Sequence, residues 1–217
     1  MGKTTDIRAA VEDELIFDPL IDATGIAVRA MGGDVALNGA VPSYPQYLAA
    51  ADAARRVGGV TNVSNHLKVI LPPADYLDDE ALTTIANNAL TLNVALPASV
   101  TAAAHDGNIT LTGTVSYGAE RDAAEVTVAW LIGVRNVKDN IEVAHDAGLV
   151  DPAVMVQSAL DRHALIADDS DVLVETSGST VTLSGHVRTW AEHDAALGAA
   201  WMAPGVYDVV DELVITG

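Results

Sequence analysis

The chain has no cysteine. That removes disulfides and thiolate metal ligation, and leaves the redox compartment open. Aromatic residues are scarce, with a single Phe in 217 residues, so any core must be built from Ala, Val, Leu and Ile. Basic residues are scarce too: 11 Lys and Arg face 30 Asp and Glu, a formal net charge of −19. No basic patch exists to neutralise phosphates, which excludes DNA and RNA as partners. The same charge disfavours direct binding to an anionic membrane and favours cations or basic partners. No apolar run approaches the ~20 residues of a membrane-spanning helix. The opening MGKTTDIRAAVEDEL is charged and helical in pattern, unlike a signal peptide. As written, the chain is expected in the cytoplasm, or in the periplasm if a leader was removed. Catalytic signatures are missing as well. There is no nucleophile elbow, no phosphate-cradling glycine loop after a strand and no His-Glu-x-x-His pair. The expectation is a protein that is not an enzyme and needs no cofactor.

What is present is repetition. VALNGAV (35–41), ITLTGTV (109–115) and VTLSGHV (181–187) share one pattern: alternating apolar residues with a glycine in an inward slot, at Gly39, Gly113 and Gly185. The spacings are 74 and 72 residues. Self-similarity at a fixed period divides the chain into units of roughly 70 residues, near the lower size for a self-sustaining core. We place these at 1–73, 74–147 and 148–217 (repeats 1, 2 and 3). Acidity grows along the chain: Asp+Glu against Lys+Arg is 8 to 5 over 4–71, 8 to 3 over 79–145 and 11 to 2 over 151–217.

Each repeat opens with a helical pattern. Ile7, Ala10, Val11 and Leu15 share a face in repeat 1; Leu82, Ile85, Ala89 and Leu90 in repeat 2; Val156 and Leu160 in repeat 3, behind an Asp151 N-cap and Pro152. Two alternating strands follow, joined at Gly32-Gly33, Asp106-Gly107-Asn108 and Ser177-Gly178-Ser179, residues that tolerate the positive φ of tight hairpins. Ser43, Ser116 and Thr189 are the expected N-caps of a second helix. That helix stops at Gly59, Gly133 and Gly205, each 20 residues after the strand glycine. A last strand begins at once, with an inward phase of Val63, Leu67 and Val69; Val137, Ile141 and Val143; Val209, Leu213 and Ile215. The order is αββαβ, and a helix joining two strands of one sheet predicts both helices on one face. The fold class is therefore α+β, three tandem αββαβ units, each a three-stranded sheet under two helices. Short connectors, Pro72-Pro73-Ala74-Asp75 and Asp146-Ala147-Gly148, predict stacked units rather than tumbling ones.

Leu37-Asn38-Gly39-Ala40-Val41 with Gly59-Val60 and Val63, and the matching residues around Gly113, Gly133, Gly185 and Gly205, resemble the BON family. Three copies in register cover nearly the whole chain. The resemblance implies αββαβ domains that act as binding modules without catalysis. Family members occur in osmotically induced proteins, in lipoproteins thought to attach to phospholipid, and in a potassium-binding protein.

Candidate sites follow from the residues themselves. Tyr44, Tyr117 and Trp190 recur at the start of the second helix, Trp130 and Trp201 near its end. They could lid small cores or form an exposed row of anchors. Asn65, Asp139 and Asp211 interrupt the inward phase of the last strand, where burial demands a partner. The simpler expectation is a bond to local backbone; the alternative is a ligand site. Asp168, Asp169 and Asp171 are weak candidates for a Ca²⁺ or K⁺ site, without the glycine and terminal Glu of an EF-hand, and the plainer reading is a solvated loop. His186 and His193, with His163, are a thinner case for a transition metal. Two functions compete: a stress-associated binding protein presenting stacked domains to protein partners or unfolded clients, and a sensor of phospholipid surfaces or of a monovalent cation such as potassium.

Overall fold

The computed structural model describes residues 2–144, 152–162, 171–178, 180–203 and 206–216. Repeat 1 runs α1 (Gly2–Phe17), β1 (Ile26–Met31), β2 (Asp34–Val41), α2 (Tyr44–Arg56) and β3 (Asn62–Val69). Repeat 2 runs α3 (Asp79–Leu92), β4 (Thr101–His105), β5 (Asn108–Val115), α4 (Gly118–Ala129) and β6 (Asn136–Val143). Repeat 3 runs α5 (Pro152–Leu160), β7 (Leu173–Ser177), β8 (Thr180–Val187), α6 (Trp190–Trp201) and β9 (Asp208–Ile215). The fold is α+β, αββαβ three times over, as the repeat pattern predicts. In every sheet the second strand is central, antiparallel to the first and parallel to the third. The parallel pair is what the returning helix makes possible.

Each core lies between one sheet face and its two helices. Leu37, Leu111 and Leu183 occupy the same slot of the central strand and are fully buried. Each contributes about 1.5–3 kcal/mol through burial. Two helix faces are rotated from the expected phase. Ala10 and Ile85 are exposed, and Ala86 takes the inward position between Leu82 and Leu90. The strand glycines have φ of 125°, 136° and 113°. A Cβ on Gly113 would run into the Ser99 carbonyl oxygen and lie 2.9 Å from Val100 Cα. The crowding partner is thus the backbone entering the neighbouring strand, and Gly39 and Gly185 meet the Gly25 and Asp171 carbonyls in the same way.

The N-caps are individual. Ser43 and Thr189 accept from the N–H of Gln46 and Glu192. Ser116 does not cap α4; instead the Glu120 carboxylate accepts from the N–H of Ser116 (2.7 Å) and of Tyr117 (3.1 Å). Asp151, the helix-stop Gly205, Ser179 and the connector at 146–148 lie outside the described residues.

The outer edge of β4 is sealed by α3. Asn87 Nδ2 donates to the Ala102 carbonyl (2.7 Å), and its Oδ1 accepts from the Ala102 N–H (3.0 Å). Thr83 Oγ1 accepts from the Ala104 N–H (2.9 Å). One amide side chain thereby stands in for a neighbouring strand, one of the ways an exposed edge is blunted.

Candidate functional site

The polar slot of the last strand is filled by the same design in each repeat. Oδ1 of Asn65, Asp139 and Asp211 accepts from the backbone N–H two residues on, at 3.1, 2.8 and 3.1 Å. That is the local backbone bond expected from sequence. The other side-chain atom reaches the second helix. Asn65 Nδ2 donates to the Tyr47 carbonyl (2.8 Å), Asp139 Oδ2 pairs with Arg121 Nε (3.3 Å), and Asp211 Oδ2 bonds His193 Nε2 (2.9 Å). Tyr47, Arg121 and His193 hold equivalent helix positions. These three groups are engaged within their own repeats, pinning the last strand to the helix.

The aromatic positions meet other repeats. Tyr44 is only 4 % exposed and joins the core of repeat 2, which holds Val128, Ala129 and Val137. Its ring stacks on Tyr47 (5.6 Å between centroids). Burial, and then the nearby Glu125 carboxylate, push its phenol above the ordinary range. The start of α4 meets repeat 3: a Cβ on Gly118 would run into Cε3 of the Trp201 indole and lie 2.9 Å from its Cδ2, and the Arg121 guanidinium sits 3.9 Å over that ring. The start of α6 meets repeat 1, where Trp190 carries the Arg55 guanidinium at 4.8 Å. Repeat 1 touches repeat 2, repeat 2 touches repeat 3, and repeat 3 returns to repeat 1. The repeats therefore close a ring. Tyr44 is not an exposed anchor, and Trp190 lies in a junction; Tyr117 (45 % exposed) and Trp130 do face solvent.

Titratable groups gather beside these junctions. Burial raises the carboxyl pKa of Asp122 and of Glu125, with Asp139 adding to both. His193 is raised chiefly by its bond to Asp194 (3.1 Å), with Asp211 adding and burial opposing. Among the described residues, no three His, Asp or Glu side chains converge on a metal position. Asp168, Asp169 and His163 lie outside the described residues; Asp171 stands just before β7. His186 lies exposed on the outer phase of β8 while His193 points to Asp211 under the helix, so the two do not form a site.

The surface that sequence reasoning missed is at the end of α1. The helix runs two residues past the expected Leu15 and carries Ile16 (72 % exposed) and Phe17 (82 % exposed) into solvent, with Leu20 beyond. Beside them a groove of about 450 Å³ is lined by Glu12, Leu15, Ile16, Ile21, Asp22 and Ile26, among others. The available signal was that the chain's one Phe falls outside every apolar periodicity.

Three tandem αββαβ units define a class of small, repeated α+β domains. The chain belongs to the BON domain family, whose family model matches residues 3–70, 78–145 and 153–217. Among curated proteins it is similar to osmotically-inducible protein Y of Escherichia coli (strain K12), 32% identical over 141 residues that cover 63% of this chain and 70% of that protein. Among solved structures it aligns with the C-terminal domain of CdsD, the structural protein of the type III secretion system of Chlamydia trachomatis (14% identity, TM-score 0.27, 98% of each chain). It also aligns with the PrgH periplasmic domain (8% identity, TM-score 0.23, 94% of this chain and 99% of that one). At these scores the structural likenesses carry no argument. No described helix is long and apolar enough to cross a membrane.

Proposed function

We propose that this chain is a non-enzymatic, stress-associated binding protein that holds protein partners, unfolded chains among them. The observation that carries the reading is the apolar surface at the end of α1. Ile16, Phe17 and Leu20 are all more than half exposed beside a groove, on a chain otherwise strongly acidic. Exposed apolar surface of that kind marks interaction sites. The stress association is supported by likeness to a protein named as osmotically inducible. Phospholipid sensing is opposed by the net charge of −19, and cation sensing lacks converging ligands among the described residues.

The test is aggregation of a chemically reduced, unfolding client followed by light scattering. The protein at equimolar concentration should delay aggregation, and Phe17→Asp with Ile16→Asp should abolish the delay. No delay by the unaltered protein, together with empty pull-downs, sinks the reading.

A further inference from the structure

Each sheet has a second face, opposite the one its helices cover. In repeat 1 the inward phase carries Val28, Leu37 and Leu67, which join one core. Side chains alternate between faces along a strand, so the open face carries Arg29 on β1, Ala36 on β2 and Lys68 on β3. Repeat 3 shows the same face with other residues. Val174 pairs with Leu183 as Val28 pairs with Leu37, so Glu175 holds the position of Arg29. Leu183 pairs with Asp211 as Leu37 pairs with Asn65, so Glu212 matches His66 and Val214 matches Lys68.

The two open faces differ in the sign of their charge. Arg8, Arg55 and Arg56 pair with carboxylates of their own repeat. Arg29 and Lys68 are exposed, and among the described residues no hydrogen bond or ion pair engages either. Both stand on the open face of repeat 1. On the open face of repeat 3, Glu175 and Glu212 are exposed and likewise unengaged among the described residues. Beside them Leu173 and Val214 are more than half exposed, and Val210 is exposed as well. Repeat 2 holds Thr101, Lys138 and Glu142 where repeat 3 has Leu173, Val210 and Val214. Its face is thus mixed in charge and free of large apolar groups at these positions, as suits contact with water. The minority charges, Asp34 opening β2 and Arg188 following β8, stand at the rims of their faces.

We propose that the open sheet face of repeat 1 docks on the open sheet face of repeat 3 in a second copy of this chain. Junctions within one chain run through α2, α4 and α6, on the other side of each sheet, so the open faces look outward and meet between copies. Arg29 and Lys68 lie on the two outer strands of one face, and Glu175 and Glu212 on the two outer strands of the other. Stacked sheets therefore bring acid to base with the strands running in either sense. The net charge of −19 sets copies against each other wherever like charges would meet, so charge selects a contact between faces of unlike sign. Three strands at about 4.8 Å and up to eight residues at about 3.3 Å give each side at most roughly 400 Å². That is small for an interface, which makes the association weak and reversible. The contact is also heterologous, so each added copy offers a fresh face and growth continues head to tail.

Sedimentation velocity of the full chain, from about 10 µM to about 1 mM, reads the association. The sedimentation coefficient of the unaltered protein should rise with concentration. Arg29→Glu with Lys68→Glu, and separately Glu175→Lys with Glu212→Lys, should each weaken association about tenfold or more. Mixed in equal amounts, the two variants should associate as the unaltered protein does, because one supplies the original face of repeat 3 and the other that of repeat 1. Phe17→Asp with Ile16→Asp should change nothing. No rise in the unaltered protein overturns the contact. So does association that neither charge variant weakens, or that mixing fails to restore. Loss of association in the Phe17 variant moves the contact to the end of α1 and overturns it too. If a charge variant does not fold, the unaltered protein decides. Isotopically light and heavy copies are mixed and treated with a carbodiimide, which joins amines to carboxylates in contact. A link between copies from Lys68 to Glu175 or Glu212 is expected; links between copies that all lie elsewhere overturn the contact. The client assay reads a separate surface, so either proposal can fail alone.

Discussion

Replacing Gly113 by Ala puts the strand glycine to a quantitative test. Two costs add. With φ at 136°, a side chain strains the backbone by about 1–3 kcal/mol. The new Cβ would also be driven into the Ser99 carbonyl oxygen, with Val100 Cα 2.9 Å away. Both obstacles are backbone, so relief requires β4 and β5 to splay, and overpacking of that kind costs about 1–3 kcal/mol more. The sum of about 2–6 kcal/mol is comparable with the about 4–10 kcal/mol expected for the whole of a ~70-residue unit. Repeat 2 should lose most of its stability, with smaller losses in repeats 1 and 3 through the junctions they share with it. Urea titration read by amide exchange in peptides from β4 to β6 reports repeat 2 alone. Gly32→Ala is the control. Gly32 has φ of 63° and open space around it, so it carries the left-handed cost alone, about 1–2 kcal/mol. If Gly113→Ala costs no more than Gly32→Ala, crowding by the Ser99 carbonyl is refuted.

Other positions give separate tests. Asn87→Ala leaves the Ala102 N–H and C=O without their side-chain partner and should cost about 1–3 kcal/mol by denaturant midpoint; a loss below a few tenths would show that water replaces the seal. Gly118→Val should displace the Trp201 indole and loosen the junction of repeats 2 and 3, seen as faster proteolysis between them with both cores intact. Identical proteolysis would mean that the indole simply slides aside. His193 is held above its ordinary 6.5 by Asp194 first and Asp211 next. A raised folded pKa gives stability fully present below that unfolded value and lost as pH climbs through the folded one. The melting temperature of repeat 3 should fall across that window and stay flat in His193→Gln; parallel slopes in the two proteins would count against the pair.

The repeat arithmetic made the fold legible because its markers are backbone constraints. Gly39, Gly113 and Gly185 each face a carbonyl that crowds out a Cβ, so the glycine recurs in all three repeats. Surface phases were less legible. On Ala-rich helices, hydrophobicity barely separates Ala86 from Ala89, and Ile85 was assigned inward though it faces solvent. The local bond of Asp139 could be read from its strand position. Its helix partner could not, because Tyr47, Arg121 and His193 fill one position with three chemistries: a backbone carbonyl, a guanidinium and an imidazole. The Glu120 cap of α4 was hidden for a similar reason, since Ser116 offered the commoner signal. The bonds of Asn87 to Ala102 depend on a helix–strand contact that only coordinates align.

The places where the repeats differ carry the most information about what they do. Positions identical in all three serve each unit internally: the strand glycine, the central Leu, the Val that opens the last strand. Several positions that diverge lie where units meet each other. The slot holding Arg55 in repeat 1 holds Ala129 in repeat 2 and Trp201 in repeat 3, and each suits the residue that arrives there. Buried Tyr44 joins the cluster containing the small Ala129, Trp201 lies against Gly118, and Arg55 stacks on Trp190. The three junctions are therefore chemically distinct. The same holds at the outer edges. Asn87 and Thr83 bond the edge of repeat 2, whereas Arg8 and Glu12 at the matching positions of repeat 1 pair with each other.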